Sequence, residues 1–106
     1  MLTPQEISDQ IEIAQVLNRY FRAIDTKDWA LLDSVFTKDA AVHYTTPGEI
    51  ETTYEKIASI FPVFTSSFFF TQHDASQMLI HVDGDRAESS NSLRARFDVM
   101  AKPRPS

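Results

Sequence analysis

VDGDRAESSNSLRARFDV, residues 82–99, is the stretch on which the fold turns. Val82-Asp83-Gly84-Asp85 carries the Asp-Gly pair of a two-residue hairpin turn, and the residues after it alternate strictly. Ala87, Ser89, Asn91, Leu93, Ala95, Phe97 and Val99 take one side of a strand; Arg86, Glu88, Ser90, Ser92, Arg94, Arg96 and Asp98 take the other. An all-polar side belongs in water, so the Ala87-to-Val99 side is predicted to face the interior. Before the turn, Met78, Ile80 and Val82 belong inside by the same logic. Pairing Val82 with Asp85 across the turn brings Ile80 opposite Ala87, Met78 opposite Ser89 and Ser76 opposite Asn91.

Upstream of this hairpin the alternation fails over Thr71-Gln72-His73-Asp74-Ala75-Ser76-Gln77. Unbroken pleating puts Gln72 and Asp74 inside, and His73 outside with Ala75, Gln77 and His81. A single β-bulge between His73 and Met78 reverses that parity and turns His73 inward. The residues allow both, and a bulged or bent strand beside a site has this appearance. Phe68-Phe69-Phe70 cannot all lie on one side of a strand, so at least one feeds a second apolar surface, such as a subunit interface.

The N-terminal half reads as helical with one strand. Thr3-Pro4-Gln5-Glu6 is a helix entry, with Thr3 as N-cap, Pro4 at the first position and Glu6 closing a capping box. Ile7, Ile11, Ala14, Leu17, Phe21 and Ile24 recur at three- and four-residue steps and predict an amphipathic helix of about six turns. Ile13, Val16 and Tyr20 widen its stripe, so other structure should wrap it. Asp25-Thr26-Lys27-Asp28 breaks the pattern; Trp29, Leu31, Leu32, Val35 and Phe36 then mark a short second helix at a corner. Ala40-Ala41-Val42-His43-Tyr44-Thr45 reads as a strand ended by Thr46-Pro47-Gly48. Glu51 through Phe64, with Tyr54, Ile57, Ala58, Ile60 and Phe61, is predicted to be a third helix that Pro62 terminates or kinks.

The 106 residues are 42% hydrophobic and 24% charged, the proportions of one globular domain rather than a disordered segment. Asp and Glu number 15 against 10 Lys and Arg, giving a net charge of −5. This is the opposite of a phosphate-backbone binder's footprint, so nucleic acid is not an expected partner. Zero cysteines exclude disulfides, thiolate metal sites and thiol nucleophiles. Met1-Leu2-Thr3-Pro4-Gln5-Glu6 lacks the basic flank and apolar run of a signal peptide, and no apolar run approaches the roughly 20 residues that span a bilayer. A soluble cytoplasmic protein without membrane contact is expected.

Several residues are candidates for chemistry. Asp25 follows Ile24 at the margin of the apolar stripe, where a core-facing carboxylate needs a partner; Asp25 or Thr26 as a cap of the second helix is the competing role. His73 is a general base if a buried carboxylate orients its ring, and a structural strand histidine otherwise. Tyr44 ends the first strand, where its hydroxyl can donate to a substrate carbonyl, whereas Tyr20 and Tyr54 lie on helix faces and read as core residues with satisfied hydroxyls. Inward Ser89 and Asn91 line a pocket or form a small polar core network. His43, His73 and His81 lack the i, i+4 spacing of a helical zinc motif, so no metal is expected, and His43 and His81 read as surface residues.

The order of elements, with Asp25-Thr26-Lys27-Asp28-Trp29, Phe36-Thr37-Lys38-Asp39-Ala40, Val42-His43-Tyr44, Thr71-Gln72-His73 and Val82-Asp83-Gly84-Asp85-Arg86-Ala87, resembles the SnoaL-like group of the nuclear-transport-factor-2-like superfamily. Within that group it is most similar to scytalone dehydratase and its bacterial relatives, from about Ile7 to Phe97. The resemblance implies an α+β fold: a cone-shaped, curved mixed β-sheet wrapped around a long N-terminal helix, with a ligand pocket at the open end. It also implies an acid-base dyad on Asp25 and His73 and a carbonyl-polarising tyrosine on Tyr44. The group's second tyrosine falls on Ile24, and a further histidine falls near Asn91. Members usually continue for two more strands. The single domain, residues 1–106, is therefore expected to be short at its C-terminus, either as a shortened chain or with a partner subunit covering the exposed edge.

The resemblance and the residues together imply a cofactor-independent lyase or isomerase of dehydratase type, acting on a small apolar cyclic or polyketide-like carbonyl substrate. In it His73 moves the proton, Asp25 orients the ring, and Tyr44 and Asn91 hold the enolate oxygen. Tyr20, Ser89, Met78 and Phe97 help line a cavity whose largely apolar character suits such a substrate. Two alternatives use the same cone: a non-catalytic ligand-binding or oligomerisation module, and a structural subunit resembling the small subunit of ring-hydroxylating dioxygenases. A homodimer is expected in every case.

Overall fold

A computed structural model describes residues 1–45 and 48–99, with the backbone alone for Phe69 and Val99. The elements are α1 (Pro4–Thr26), α2 (Trp29–Asp33), β1 (Ala41–Tyr44), β2 (Ile50–Thr53), α3 (Tyr54–Ala58), α4 (Phe61–Thr65), β3 (Phe68–Asp83) and β4 (Arg86–Val99). β1 pairs with β2, and β3 with β4, both antiparallel. This is the expected α+β architecture of a long N-terminal helix against a curved sheet. Among the described residues no ladder is parallel, so the mixed character of the sheet finds no counterpart in them. No helix of the described residues is long and apolar enough to cross a membrane.

α1 opens on its capping box: Thr3 Oγ1 accepts from the Glu6 backbone N–H at 3.1 Å and donates to Glu6 Oε1 at 3.0 Å. The helix does not break at Asp25 but runs through Thr26, closing on Lys27 at φ 56°. The Asp28 N–H reaches back to the Ala23 carbonyl at 2.8 Å and the Lys27 N–H to that of Ile24 at 3.2 Å, a left-handed C-terminal closure. The cap of α2 is Asp28, which accepts from the Leu31 N–H at 3.1 Å. The capping role considered for Asp25 or Thr26 is thereby corrected. α2 is also shorter than expected, ending at Asp33 with Val35 and Phe36 beyond it.

The single third helix predicted over residues 51–64 is three elements instead. Ile50-Glu51-Thr52-Thr53 pairs with Ala41–Tyr44 as β2, because two β-branched threonines meet a strand partner that helix periodicity cannot reveal. Pro62 does not end a helix; it stands in the first turn of α4, where its missing N–H costs nothing. Of the turn expected at Thr46-Pro47-Gly48, Thr46 and Pro47 lie outside the described residues. The core gathers where these short elements meet α1: Ala23, Ile24, Leu32, Tyr54 and Ile57 are buried, with Tyr20, Trp29, Phe36, Val42, Tyr44 and Phe61 packed around them.

The β3–β4 hairpin turns on Gly84-Asp85, with Gly84 at φ 61°. Val82 faces Ala87 and Ile80 faces Ser89, two positions away from the predicted pairing. An even shift leaves every side chain on its predicted face. Farther along, Ser76 faces Ser92 and Leu79 faces Ser90, so Gln77 and Met78 together oppose Asn91. This is a bulge between His73 and Leu79, with Gln77 in the left-handed region at φ 52°. It reverses the parity of β3, and His73 faces Ala95 while Thr71 faces Phe97.

Predicted burial of the β4 face is not met. Leu93 is 51% and Phe97 45% exposed, and Ala87, Ser89 and Ala95 are exposed as well, because no element of the described residues packs over them. The side chain of Val99 lies outside the described residues. Phe68 and Phe70 divide between surfaces as anticipated: Phe68 lies 5.1 Å from Phe97 between ring centroids, whereas Phe70 lies under the Arg96 guanidinium at 5.8 Å.

The outer edge of β3, away from β4, is met by side chains of α1 and of Lys27, which closes it. Gln10 Nε2 donates to the Ile80 carbonyl at 3.1 Å, Asp25 Oδ2 accepts from the His73 N–H at 2.8 Å, and Lys27 Nζ donates to the Phe68 carbonyl at 2.7 Å. Backbone groups that a further strand would otherwise bind are satisfied by one helix.

Because Gln77 holds a left-handed conformation, a β-branched replacement should strain it. Gln77→Val is expected to lower the unfolding free energy by about 1–2 kcal/mol, and Gln77→Gly to lose far less. Urea unfolding measures both; equal effects from the two would contradict the bulge geometry.

Candidate functional site

Asp25 and His73 are brought together by the last turn of α1 and the bulged half of β3. Asp25 Oδ1 and His73 Nδ1 are 2.5 Å apart, and the same oxygen accepts from Thr71 Oγ1 at 3.0 Å. With the His73 backbone N–H on Oδ2, the carboxylate takes three bonds from β3. A carboxylate can only accept, so Nδ1 carries the proton and a neutral ring keeps its lone pair on Nε2. Among the described residues Nε2 has no hydrogen-bond partner. No partnerless side-chain nitrogen or oxygen there is buried, so Nε2 is accessible from outside the protein.

The ring is held on its faces as well as at its edge. Phe21 stacks on it at 6.0 Å with an interplanar angle of 19°, and Phe97 meets it edge-on at 5.7 Å and 90°. The side chains of His73 and Asp25 are only 11% and 21% exposed. Phe21 lies one helical turn before Asp25 and Thr71 one pleat before His73. Both escaped the sequence reading, yet those spacings place them beside the dyad once the pair is accepted.

Two concavities meet at His73. One is an apolar cavity of about 330 Å³ whose walls include Tyr20, Phe21, Ile24, Tyr44, Leu93 and Phe97. The other is an open groove along α1 and β3, of about 640 Å³, bordered by Asn18, Arg22, Asp25, Asp74 and Met78. The apolar cavity is the better ligand site, since it combines an apolar lining with a few convergent polar groups. Tyr20 and Tyr44 contribute those groups together with His73. Burial, and secondarily the neighbouring Tyr44 hydroxyl, push the Tyr20 phenol above its ordinary range, so it stays a neutral donor.

Three predicted lining residues are placed otherwise. Met78 borders the open groove, because the bulge takes it out of the inward alternation. Ser89 faces Ile80, roughly 20 Å along the hairpin from Ala95 at ~3.3 Å per residue. It is exposed, beside a separate groove with Leu79 and Glu88. Asn91 sits opposite the bulge, and its amide donates to the Ser92 carbonyl at 3.2 Å rather than into the cavity. Tyr54 is a core residue, as read, donating to Asp33 Oδ1 at 2.7 Å. Among the described residues no three His, Asp or Glu side chains converge as a metal site requires.

Removing the carboxylate strands the His73 N–H, the Thr71 hydroxyl and the ring Nδ1 together. Asp25→Ala is expected to cost about 2–4 kcal/mol of folding free energy and Asp25→Asn less. Thr26→Ala, which loses a local bond to the Arg22 carbonyl, should cost under about 1 kcal/mol. Chemical denaturation of the three variants tests this ranking; Asp25→Ala no worse than Thr26→Ala would contradict the clamp.

Residues 5–102 match the SnoaL-like domain family. Among curated proteins, the uncharacterized proteins Mb2934c of Mycobacterium bovis and Rv2910c of Mycobacterium tuberculosis are each 39% identical over 89 residues. The match covers 84% of this chain and 60% of theirs, so the chain spans 60% of the length of these relatives. Among solved structures, the Kfla4162 protein from Kribbella flavida aligns with a TM-score of 0.78 at 21% identity, over 88% of this chain and 66% of that one. A protein provisionally named scytalone dehydratase from Novosphingobium aromaticivorans aligns at 0.77 and 20%, over 98% of this chain and 69% of that one. At such identities the structural likeness speaks for the fold alone. Matched over nearly its whole length, the chain belongs to the SnoaL-like domain family.

Proposed function

We propose that the protein is a cofactor-independent lyase or isomerase that removes a proton next to the carbonyl of a compact apolar ring. The observation that carries this is the Asp25–His73 pair, with Nδ1 held at 2.5 Å and the other ring nitrogen left for the cavity. Nε2 takes the proton from carbon, Asp25 stabilises the imidazolium that forms, and the Tyr44 hydroxyl binds the developing enolate oxygen. The imidazolium then returns the proton, either to a β-hydroxyl that leaves as water or to another carbon. The cavity volume, at the low end of the range for small-molecule sites, and its apolar wall favour a ring over a charged substrate. The name of the Novosphingobium structure agrees with a dehydratase, and membership in the SnoaL-like family agrees with a small ligand.

A second function rests on Asn91 and Ile24. The Asn91 amide is turned to Ser92, and Ile24 is buried in the core, so neither adds a polar group to the cavity. A non-catalytic module binding the same class of ligand needs only the apolar wall.

Proton abstraction can be measured without the natural substrate. In D₂O, the protein should accelerate loss of the α-proton NMR signal of at least one bicyclic ketone in a panel of tetralone type. His73→Ala should slow this by at least about 10²-fold, and Tyr44→Phe by about 10²-fold. Ketones that bind without exchanging would establish the non-catalytic module, and exchange that survives His73→Ala would remove His73 as the base.

A further inference from the structure

The apolar cavity has few polar groups, and two of them are phenols. Its walls carry the hydroxyls of Tyr20 and Tyr44 and the ring of His73; every other described lining residue is isoleucine, leucine or phenylalanine. The third tyrosine of the chain is engaged elsewhere, since Tyr54 donates to Asp33 Oδ1 at 2.7 Å. With His73 as the base and Tyr44 on the enolate oxygen, Tyr20 is the one polar group of the cavity that the proposed reaction does not use.

Tyr20 and Tyr44 are neighbours although one comes from α1 and the other from the end of β1. Besides the apolar cavity they border together a second, smaller hollow of about 240 Å³, with Phe36, Val42 and Ile57, and both pack around the same buried core. The Tyr20 ring is held on its sides: it meets Phe21 at 5.1 Å with an interplanar angle of 61°, and Phe36 at 5.6 Å and 90°. Edge contacts of this kind fix a ring, and they set the Tyr20 oxygen beside the Tyr44 hydroxyl.

Two adjacent hydroxyls hold two protons, and a hydrogen bond between them takes one. The other is left for a ligand. Burial decides which phenol plays which part. It holds the Tyr20 proton more tightly than an ordinary phenol does, with the neighbouring Tyr44 hydroxyl adding to the effect, so negative charge is resisted on Tyr20 and better carried by Tyr44. Tyr20 is then the donor within the pair, and the Tyr44 proton is the one that faces the cavity.

We propose that Tyr20 is a positioning residue for Tyr44: its O–H donates to Tyr44 Oη and aims the Tyr44 proton at the carbonyl oxygen of the ligand. This rests on the role given above to Tyr44. A neutral carbonyl gains little from a second phenol behind the first. When His73 Nε2 takes the α-proton, the electron pair of the C–H bond passes into the enolate system, and negative charge grows on its oxygen. Tyr44 then donates more strongly, its own oxygen becomes more negative, and the Tyr20 proton meets that charge in an apolar surrounding. Neither phenol gives up its proton. Tyr20 therefore acts on charge that develops during the reaction rather than on binding of the ketone.

The unmodified chain, Tyr20→Phe, Tyr44→Phe and the double variant separate the pair from the reaction. In urea without ligand, the effects of the two single changes on the unfolding equilibrium constant should depart from simple multiplication by about threefold or more, as for groups in contact. In the exchange assay with 1-tetralone in D₂O, Tyr20→Phe should lower kcat by about tenfold and leave KM within about twofold, and should change nothing further in the Tyr44→Phe background. A halogenated 1-naphthol, ionised at the assay pH, imitates the enolate; Tyr20→Phe should weaken its binding by about tenfold and that of 1-tetralone by no more than about twofold. Multiplicative effects on unfolding, equal weakening of both ligands, or a further loss in the Tyr44→Phe background would overturn the proposal. Coupled unfolding and selective weakening of the naphtholate, with no exchange by the unmodified chain, would support the Tyr20–Tyr44 relay and overturn the catalytic reading instead. Binding of neither probe by the unmodified chain would overturn both.

Discussion

The contact on which the rest of the site depends is the carboxylate of Asp25 against the edge of β3. A carboxylate at the end of a long helix is costly to shelter from water unless donors surround it. Here three converge on it: the His73 N–H, the Thr71 hydroxyl and His73 Nδ1. The first of these also closes a gap in the backbone accounting of β3, which among the described residues has a neighbouring strand on one side only. Structure and chemistry are joined in one group. The interaction that docks α1 on the sheet is the one that sets the tautomer of the ring.

The bulge at Gln77-Met78 is the other half of the arrangement. Without it, pleating would turn His73 away from the helix and leave the Asp25 carboxylate facing neighbouring residues of the wrong parity. A left-handed glutamine is strained relative to glycine, so a modest local cost is accepted to bring the histidine to the interior. Such a bulge also bends its strand, in keeping with a curved sheet that wraps one long helix. Downstream of it, β4 keeps its apolar residues on the same side as His73. That side is only partly covered by the described residues, and its flank at Leu93 and Phe97 borders the cavity.

Much of this was readable from residues because it rests on local chemistry. The capping box at Thr3, the six-turn periodicity, the alternation after Gly84 and the failure of alternation around His73 are short-range patterns with direct structural causes. The pairing of Asp25 with His73 was not readable from spacing, since 48 positions separate them; only the family likeness linked them. Misreadings came where partners decide. Residues 50–53 became a strand because β1 lies beside them, and the helical period of Tyr54, Ile57 and Phe61 masked the change. The hairpin pairing differed by two because Gly84, at φ 61°, begins the turn rather than ending it. Ser89 faced inward on paper but is too far along the hairpin to reach the dyad, a distance that face assignment alone does not encode.

The central claim, that Asp25 fixes the proton of His73 on Nδ1 and leaves Nε2 as the free base, is tested most directly by the ¹⁵N chemical shifts of that imidazole. They are best measured by NMR on the neutral ring. The account predicts a protonated-type shift at Nδ1 and an unprotonated-type shift at Nε2, with the preference lost in Asp25→Ala. A proton on Nε2, or an even mixture of tautomers in the unmodified protein, would contradict it.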